Sequence, residues 1–402
     1  MDIKNLDAVA AGHICLDITP EFTSGRRIPV EEIFKPGNLI NVGDAVISTG
    51  GSVPNTGLAL QRLGIKIEFM GKVADDSFGS IIMNKLKKSA SIKGMRIVNG
   101  ESTSYTIVIS PPGIDRIFLH NPGANDTFNY DDIDFGFVKE TKLFHLGYPP
   151  LMRCLYENSG EQLVRIYKKA KELGAITSLD VSLPDPNSPS GRVDWSIILR
   201  NALPYVDIFL PSAQELLYML DRDKFFKLLE ISESDDLLAR LEGEDLTSLS
   251  EKILDLNVKI AGIKCGYRGF YLRTAGKNEL SQINNDIPID INNWSGRELW
   301  VPAYHVPEIV TTTGSGDSAI AGFLAAFLRG KDIELALNYA CAVGAQSLEA
   351  SDAISSIRNW DETTAQIEKK CERNRLIIKT PCWKFNKENE FWEGPNDKKR
   401  LK

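Results

Sequence analysis

Thr311-Thr312-Thr313-Gly314-Ser315-Gly316-Asp317-Ser318 is the stretch whose residue types and spacing carry the clearest chemistry. It follows an apolar, β-like run from Tyr304 to Val310. It opens a helix-like run from Ala319 to Leu328 that stops at Gly330. The segment therefore reads as strand, glycine-rich turn and helix N-terminus. Two glycines let the backbone turn tightly and bring bare N–H groups close to a ligand. The first turn of a helix has N–H groups without internal partners, and the helix dipole adds positive charge there, so phosphate is the natural guest. A carboxylate, Asp317, in that anion site is either a helix cap or a base that takes a proton from a hydroxyl while the N–H groups hold a phosphoryl group. The octapeptide alone leaves both open.

The surrounding pattern supplies a frame for this turn. Apolar runs at Ala8–Leu16, Leu143–Leu146, Ala175–Leu179, Val206–Leu210 and Val258–Ile263 alternate with helical stretches at 151–173, Trp195–Leu203, Ala213–Leu220 and the acidic 232–256. Such alternation implies an α/β fold with a mostly parallel sheet covered by helices. Near the N-terminus the Asn38–Val42 alternation and the Tyr105–Ile109 and Arg116–Leu119 runs around Pro111-Pro112-Gly113 read as exposed strands of a second, smaller sheet. Ligands of open α/β sheets bind beyond the C-terminal ends of strands. Asp17, Gly71, Asp180, Gly266 and the 311–317 turn fall at such ends, which favours a functional Asp317.

Composition excludes several classes. The chain has 402 residues, 43% of them hydrophobic and 25% charged, with net charge −7. That balance does not suggest broad affinity for nucleic acid or anionic membranes. No apolar run is long enough to span a bilayer, and the N-terminus lacks the pattern of a secretory signal. Six scattered cysteines form no CxxC pair, so a reduced, cytoplasmic protein without a zinc site is expected. The Lys-, Asn- and Glu-rich tail from 376 reads as a weakly packed extension.

Two stretches together resemble the ribokinase-like (PfkB) carbohydrate kinases. Gly50-Gly51 with Asn55, then Leu63-Gly64 and Gly71 to Gly79, is similar to the first signature of that family, and Thr313 to Asp317 to the second. The likeness spans roughly residues 8–350. It implies a central sheet, a small β-sheet lid from 19–47 and 102–125, a kinase domain over 1–375, and MgATP-dependent phosphorylation of a hydroxymethyl group of a sugar. By the same resemblance Asp317 is the catalytic base and the amides of Gly314, Ser315 and Gly316 form the anion hole. Asp17, Gly50, Gly51 and Asn55 line the sugar site. Lys264, Gly266 and Gly269 touch ATP. Ser212-Ala213-Gln214-Glu215 matches an Asn-x-x-Glu segment of the ATP site with Ser in place of Asn, and Glu215 acts on Mg²⁺ through water. Thr311 stands where many members carry an acid that helps bind a monovalent cation, so strong K⁺ activation is not expected.

Gly314 to Ala319 also fits a dinucleotide fingerprint, but Ile333–Leu348 reads as a second helix where that motif needs a strand. No Walker A lysine follows a glycine loop. A sugar- or nucleotide-sensing protein on the same fold and a nucleoside kinase remain as alternatives. Arg26, Arg27 and Arg116 suit an anionic sugar or are ordinary surface charges. Asn292, Trp294, Arg297 and Trp300 either pack the tail or wall the nucleotide side. The exposed lid sheet offers unpaired edges through which a homodimer could form.

Overall fold

A computed structural model describes residues 4–23, 29–112, 116–230, 236–283 and 286–399; Arg26 and Arg27 lie outside them. In chain order the strands are β1 (Leu6–Gly12), β2 (Cys15–Pro20), β3 (Ala45–Gly50), β4 (Ile67–Met70), β5 (Lys72–Ala74), β6 (Arg96–Val98), β7 (Tyr105–Ile109), β8 (Ile117–Asn121), β9 (Thr141–Gly147), β10 (Ile176–Asp180), β11 (Ile208–Phe209), β12 (Ile260–Lys264), β13 (Phe270–Thr274), β14 (Glu298–Val301), β15 (Lys384–Asn386) and β16 (Phe391–Glu393). A ten-stranded sheet runs β15-β16-β14-β13-β12-β11-β10-β9-β1-β4. From β4 to β12 every pairing is parallel. These strands are buried on both faces, which is why their sequences are near-continuous apolar runs rather than alternating ones. The strands beyond β12 pair antiparallel. The expected α/β architecture, a large mostly parallel sheet plus a small β-sheet lid, is what is found.

The lid is a separate sheet with the order β3-β2-β7-β8. The Ala8–Leu16 run is not one strand. β1 ends at Gly12 and the chain turns away at His13-Ile14, so that β2 joins the lid, pairing Asp17 with Ser48 of β3 and Thr106 of β7. Asp17 is therefore a lid residue, not the end of a core strand. Cys15 and Leu16 are nevertheless buried, so burial alone gives no hint of the switch. Asn38–Val42 is not a strand either, and Leu39 is 84% exposed. Tyr304–Val310 also departs from expectation: Tyr304 makes an isolated bridge to Arg373 and the rest is irregular. Pro307 removes a backbone donor that a strand there would need.

The glycine-rich turn feeds the helix Ser315–Leu328, whose residues are almost all buried. A helix apolar on every side, as this one is after Ser318, must be enclosed, and it packs against the helices Ser52–Arg62 and Ile333–Gln346. Close approach is set by Gly322, where a Cβ would lie 2.3 Å from the Tyr339 carbonyl oxygen.

The tail is not weakly packed. β15 and β16 extend the main sheet, and Asp397, fully buried, accepts from Arg297 Nε at 2.8 Å and from the Glu298 N–H at 3.1 Å. Arg297 also pairs with Glu334 at 2.8 Å. Trp294 packs edge-on to Phe323 and Phe327 and donates to the Lys331 carbonyl. The 292–300 stretch thus packs the tail and the helix of the turn. Breaking one partner of a buried pair costs about 3–5 kcal/mol. With Glu334 still beside Arg297, Asp397→Ala is expected to lose stability near the lower end of that range in urea unfolding. Burial would raise the Glu334 pKa, but Arg297, Asn293 and Lys399 outweigh it and bring it to about 2. A depressed carboxylate stabilises the fold above its unfolded value near 4.5 and stops doing so as pH falls towards 2.

Candidate active site

Four strands of the parallel sheet end along one edge. Gly12 pairs with Gly147, Gly147 with Asp180, and Lys264 closes β12. The residues that follow these ends, together with the 311–317 turn, build one site, as the topology of an open α/β sheet dictates.

Gly314 caps the helix at φ +75, a left-handed conformation that glycine adopts without strain, and a Cβ there would meet that of Ala353 at 2.2 Å. Ser315 and Gly316 follow as its first residues. The Asp317 carboxylate is not a cap. It accepts from Asn55 Nδ2 at 3.0 Å, Thr56 Oγ1 at 3.4 Å and Tyr148 Oη at 2.9 and 2.8 Å. All three donors come from other elements, and Asp317 is 2% exposed. Burial raises its pKa, and Lys264 and these hydrogen bonds only partly offset that.

Lys264 runs beneath the turn, its side chain 3.4 to 3.7 Å from where a Gly316 Cβ would stand. Its Nζ lies 2.5 Å from Asp180 Oδ1 and 4.0 Å from Glu215 Oε2. Burial alone would lower the lysine pKa; the carboxylates of Asp180 and Glu215 raise it instead, so the ammonium stays charged. Asp180 is fully buried and its Oδ2 has no protein partner. Ser212 and Glu215 form a reciprocal capping box, Glu215 N–H donating to Ser212 Oγ at 3.2 Å and Ser212 N–H to Glu215 Oε2 at 2.6 Å. Gly266 and Gly269, at φ +53 and +97, shape the tight turn after Lys264.

On the other side a cavity of about 300 Å³ opens between lid and turn, lined among others by Asp17, Ser48, Asn55, Arg116 and Thr311 to Thr313. Gly50 faces Asp17, whose carboxylate lies 2.1 to 2.7 Å from where a Cβ would be, so any side chain at Gly50 would expel it. Gly51, at φ +94, packs on His13 in the same way. Arg116 is not an ordinary surface charge: its guanidinium donates to Thr311 Oγ1 at 2.7 Å, Thr312 Oγ1 at 2.8 Å and Thr313 Oγ1.

The structure thus gathers Asn55, Lys264, Glu215 and the turn Gly314-Ser315-Gly316 around one carboxylate, Asp317, and places Asp17 and Gly50 on the lid side of the adjoining cavity. Thr56 and Tyr148 were missed. Asp180 was visible as a strand-end acid, but not as the partner of Lys264. Among the described residues no group of three or more His, Cys, Asp or Glu could hold a metal alone. Mg²⁺ is usually bound by one or two carboxylates plus substrate phosphates, and the Glu215 carboxylate, 4.0 Å from the Lys264 ammonium that underlies the glycine turn, suits that mode.

A buried carboxylate in the first turn of a helix, with a buried ammonium beneath that turn and a lidded polar cavity alongside, is the arrangement of a phosphoryl-transfer enzyme, here on a ribokinase-like α/β fold. The chain belongs to the pfkB family of carbohydrate kinases, whose family model matches residues 23–360. It is an ATP-dependent sugar kinase, a phosphotransferase with an alcohol acceptor. Relatives include an uncharacterized sugar kinase of Archaeoglobus fulgidus, 27% identical over 69% of this chain and 89% of that one. A 5-dehydro-2-deoxygluconokinase of Geobacillus kaustophilus is 24% identical over 92% of this chain and 95% of that one. The fold is shared with an Arabidopsis thaliana ribokinase solved with ribose and ATP, at TM-score 0.65 and 21% identity over 90% of this chain and 99% of that one. It is shared too with a fructokinase of Xylella fastidiosa, at TM-score 0.66 and 17% identity over 90% and 98%. No helix among the described residues is long and apolar enough to cross a membrane.

Proposed function

We propose that the enzyme moves the γ-phosphoryl group of ATP to a hydroxymethyl group of a sugar, with Asp317 as general base. One observation carries this reading: the Asp317 carboxylate is buried at the mouth of an N–H-rich helix start and is held by Asn55, Thr56 and Tyr148, not by the helix it begins. In this reading the amides of Gly314, Ser315 and Gly316 hold the transferring phosphoryl group, because the turn and the helix dipole fix donors where negative charge develops. Lys264 adds a positive charge beside them. Gly266 and Gly269 let the nucleotide approach the backbone, and Ser212 orients Glu215, which reaches Mg²⁺ through water. When bound, Mg²⁺ neutralises phosphate charge. Asp17, Gly50, Gly51 and Asn55 hold the sugar, and a carboxylate such as Asp17 can accept from two hydroxyls at once. The lid keeps water from the reacting phosphate.

We further propose that residues 1–375 form the kinase unit, with the lid carried by 19–47 and 102–125 and the 376–402 extension bracing its sheet. The lid also supports a homodimer. Strands β3 and β8 are its edges, and Val46, Phe118 and Leu119 on them are 49%, 53% and 45% exposed. A monomer in sedimentation at micromolar concentration would remove that proposal. Five of the cysteines, Cys15, Cys154, Cys265, Cys341 and Cys371, are thiols, in keeping with the cytoplasm.

The test is ADP release with MgATP across sugars, sugar acids, sugar phosphates and nucleosides. Stoichiometric ADP and phosphorylated product with one sugar establishes the reading and names the acceptor. Thermal shifts with sugars but no turnover on any of them would identify a sensing protein; turnover on nucleosides alone would identify a nucleoside kinase.

A further inference from the structure

The partners of Asp317 pose a problem for a base. A carboxylate offers about four lone-pair sites. Here Tyr148 Oη reaches both oxygens, at 2.9 and 2.8 Å, while Thr56 fills out Oδ1 and Asn55 fills out Oδ2. The phenol's one proton is shared between the two oxygens, so with Asp317 2% exposed an incoming hydroxyl reaches the carboxylate only by taking the position that the phenol spans. Asn55 and Thr56 belong to the Ser52–Arg62 helix, packed against the helix of Asp317, and are fixed. Tyr148 is different. It sits in a loop, just past the end of β9, and is only partly buried.

Its backbone sets it apart too. Tyr148 has φ +65 and ψ +41, a left-handed conformation that is rare for a bulky residue. It also precedes Pro149, and a following proline restricts the backbone further. Strain of this kind persists where the surrounding structure imposes it, and it clusters at functional sites. Burial and the neighbouring Asp317 and Asp180 charges push the phenol well above its usual range, so it remains a hydrogen-bond donor. A donating hydroxyl resting on both oxygens of the base has the chemistry of the acceptor itself.

We propose that Tyr148 is a removable cap on Asp317: its phenol hydroxyl occupies the acceptor's place on the carboxylate until a sugar hydroxymethyl group displaces it. This rests on Asp317 being the base. The sugar can displace the phenol because Asp17, Asn55 and the lid hold the rest of the molecule. A water molecule has no such additional contacts, so it is kept off the base and ATP is not hydrolysed in the absence of sugar. Tyr148 is thus a positioning residue that sets the preference for sugar over water.

The experiment uses the full chain and Tyr148→Phe, which removes only the hydroxyl. ADP release is measured without sugar, and both ADP and sugar phosphate are measured with the sugar the wild type turns over. Sugar-free ATP hydrolysis is expected to rise about tenfold or more, within the ~10²–10⁴ that a general base contributes. The sugar KM is expected to fall, since no cap has to be displaced, and more than one ADP should form per sugar phosphate. Adding Asp317→Asn to Tyr148→Phe should abolish the extra hydrolysis. A variant with sugar-free hydrolysis and KM unchanged overturns the proposal. So does one whose transfer collapses with KM unaltered, which would mean that the phenol stays on Asp317 during the reaction. Tyr148→Leu, with melting curves for each variant, separates these outcomes from a folding defect. If Asp317→Asn alone keeps full turnover, the base assignment fails. If it abolishes turnover while the Tyr148 variants stay tightly coupled, only the cap fails.

Discussion

Asp317→Asn is expected to lower kcat by ~10²–10⁴ while leaving the protein as stable as before or slightly more so. Under the proposed function the rate loss follows from removing the group that takes the acceptor proton, since asparagine keeps the shape but not the basicity. The stability gain follows from charge. Asp180, Glu215 and Asp317 surround one ammonium, Lys264, and the Asp317 charge itself helps raise the pKa values of Asp180 and Glu215. Neutralising one of three like charges relieves repulsion in a buried site. Active-site residues commonly cost stability in this way. Coupled ADP assays and thermal melts on the same preparation check both halves; equal losses of activity and stability would mark Asp317 as structural. The same environment fixes the sign of the pH profile. Burial raises the Asp317 pKa above the ordinary aspartate value of 3.8 despite Lys264 and its hydrogen bonds. As a base it works ionised, so kcat/KM should fall as pH drops through this raised value, placing the acid limb above that of an exposed aspartate.

The anion turn was legible because its parts are consecutive: two glycines, a helix start and an acid occupy four positions, and short-range spacing is what a sequence displays. Asn55 could be placed only through the family resemblance, whereas Asp17 also showed as an acid after an apolar run, although that run proved to cross from core to lid. Tyr148 and Thr56 were not legible, because each meets Asp317 across the fold from a residue far away in the chain, and neither lies in a pattern of its own. Asp180 showed as an acid at a strand end, yet its partner Lys264 is 84 positions further on. The failures in the fold have a common cause as well. Apolar runs report burial, not which sheet does the burying, so Ala8–Leu16 looked continuous although the chain passes from core to lid at His13. The tail misled in the opposite way. Its many polar residues mask Trp383 and Phe391, only 6% and 2% exposed, and Asp397, whose burial depends on Arg297.

Lys264→Met should act on both stability and catalysis, and the two effects can be pulled apart. Lys264 is the ion-pair partner of a fully buried Asp180, whose second oxygen already lacks a protein partner. Removing one side of such a pair costs about 3–5 kcal/mol because the other charge stays buried. Asp180 can escape by taking up a proton. Its folded pKa then lies above its unfolded value, so the variant's deficit should be small below about pH 4, the ordinary aspartate range, and grow as pH rises through the folded value. Under the proposed function catalysis loses something different, the positive charge beneath Gly316 that is proposed to face the nucleotide phosphates. A second change, Asp180→Asn, discriminates between these roles. In the Lys264→Met background it removes the stranded carboxylate, so unfolding free energy at neutral pH should recover most of the loss. It restores no cation, so ATP KM and kcat should stay as impaired as in the single variant. Recovery of both together would mean that Lys264 serves only to neutralise Asp180; recovery of neither would mean that the ammonium matters chiefly to Glu215 and Asp317, which Asp180→Asn leaves without a cation.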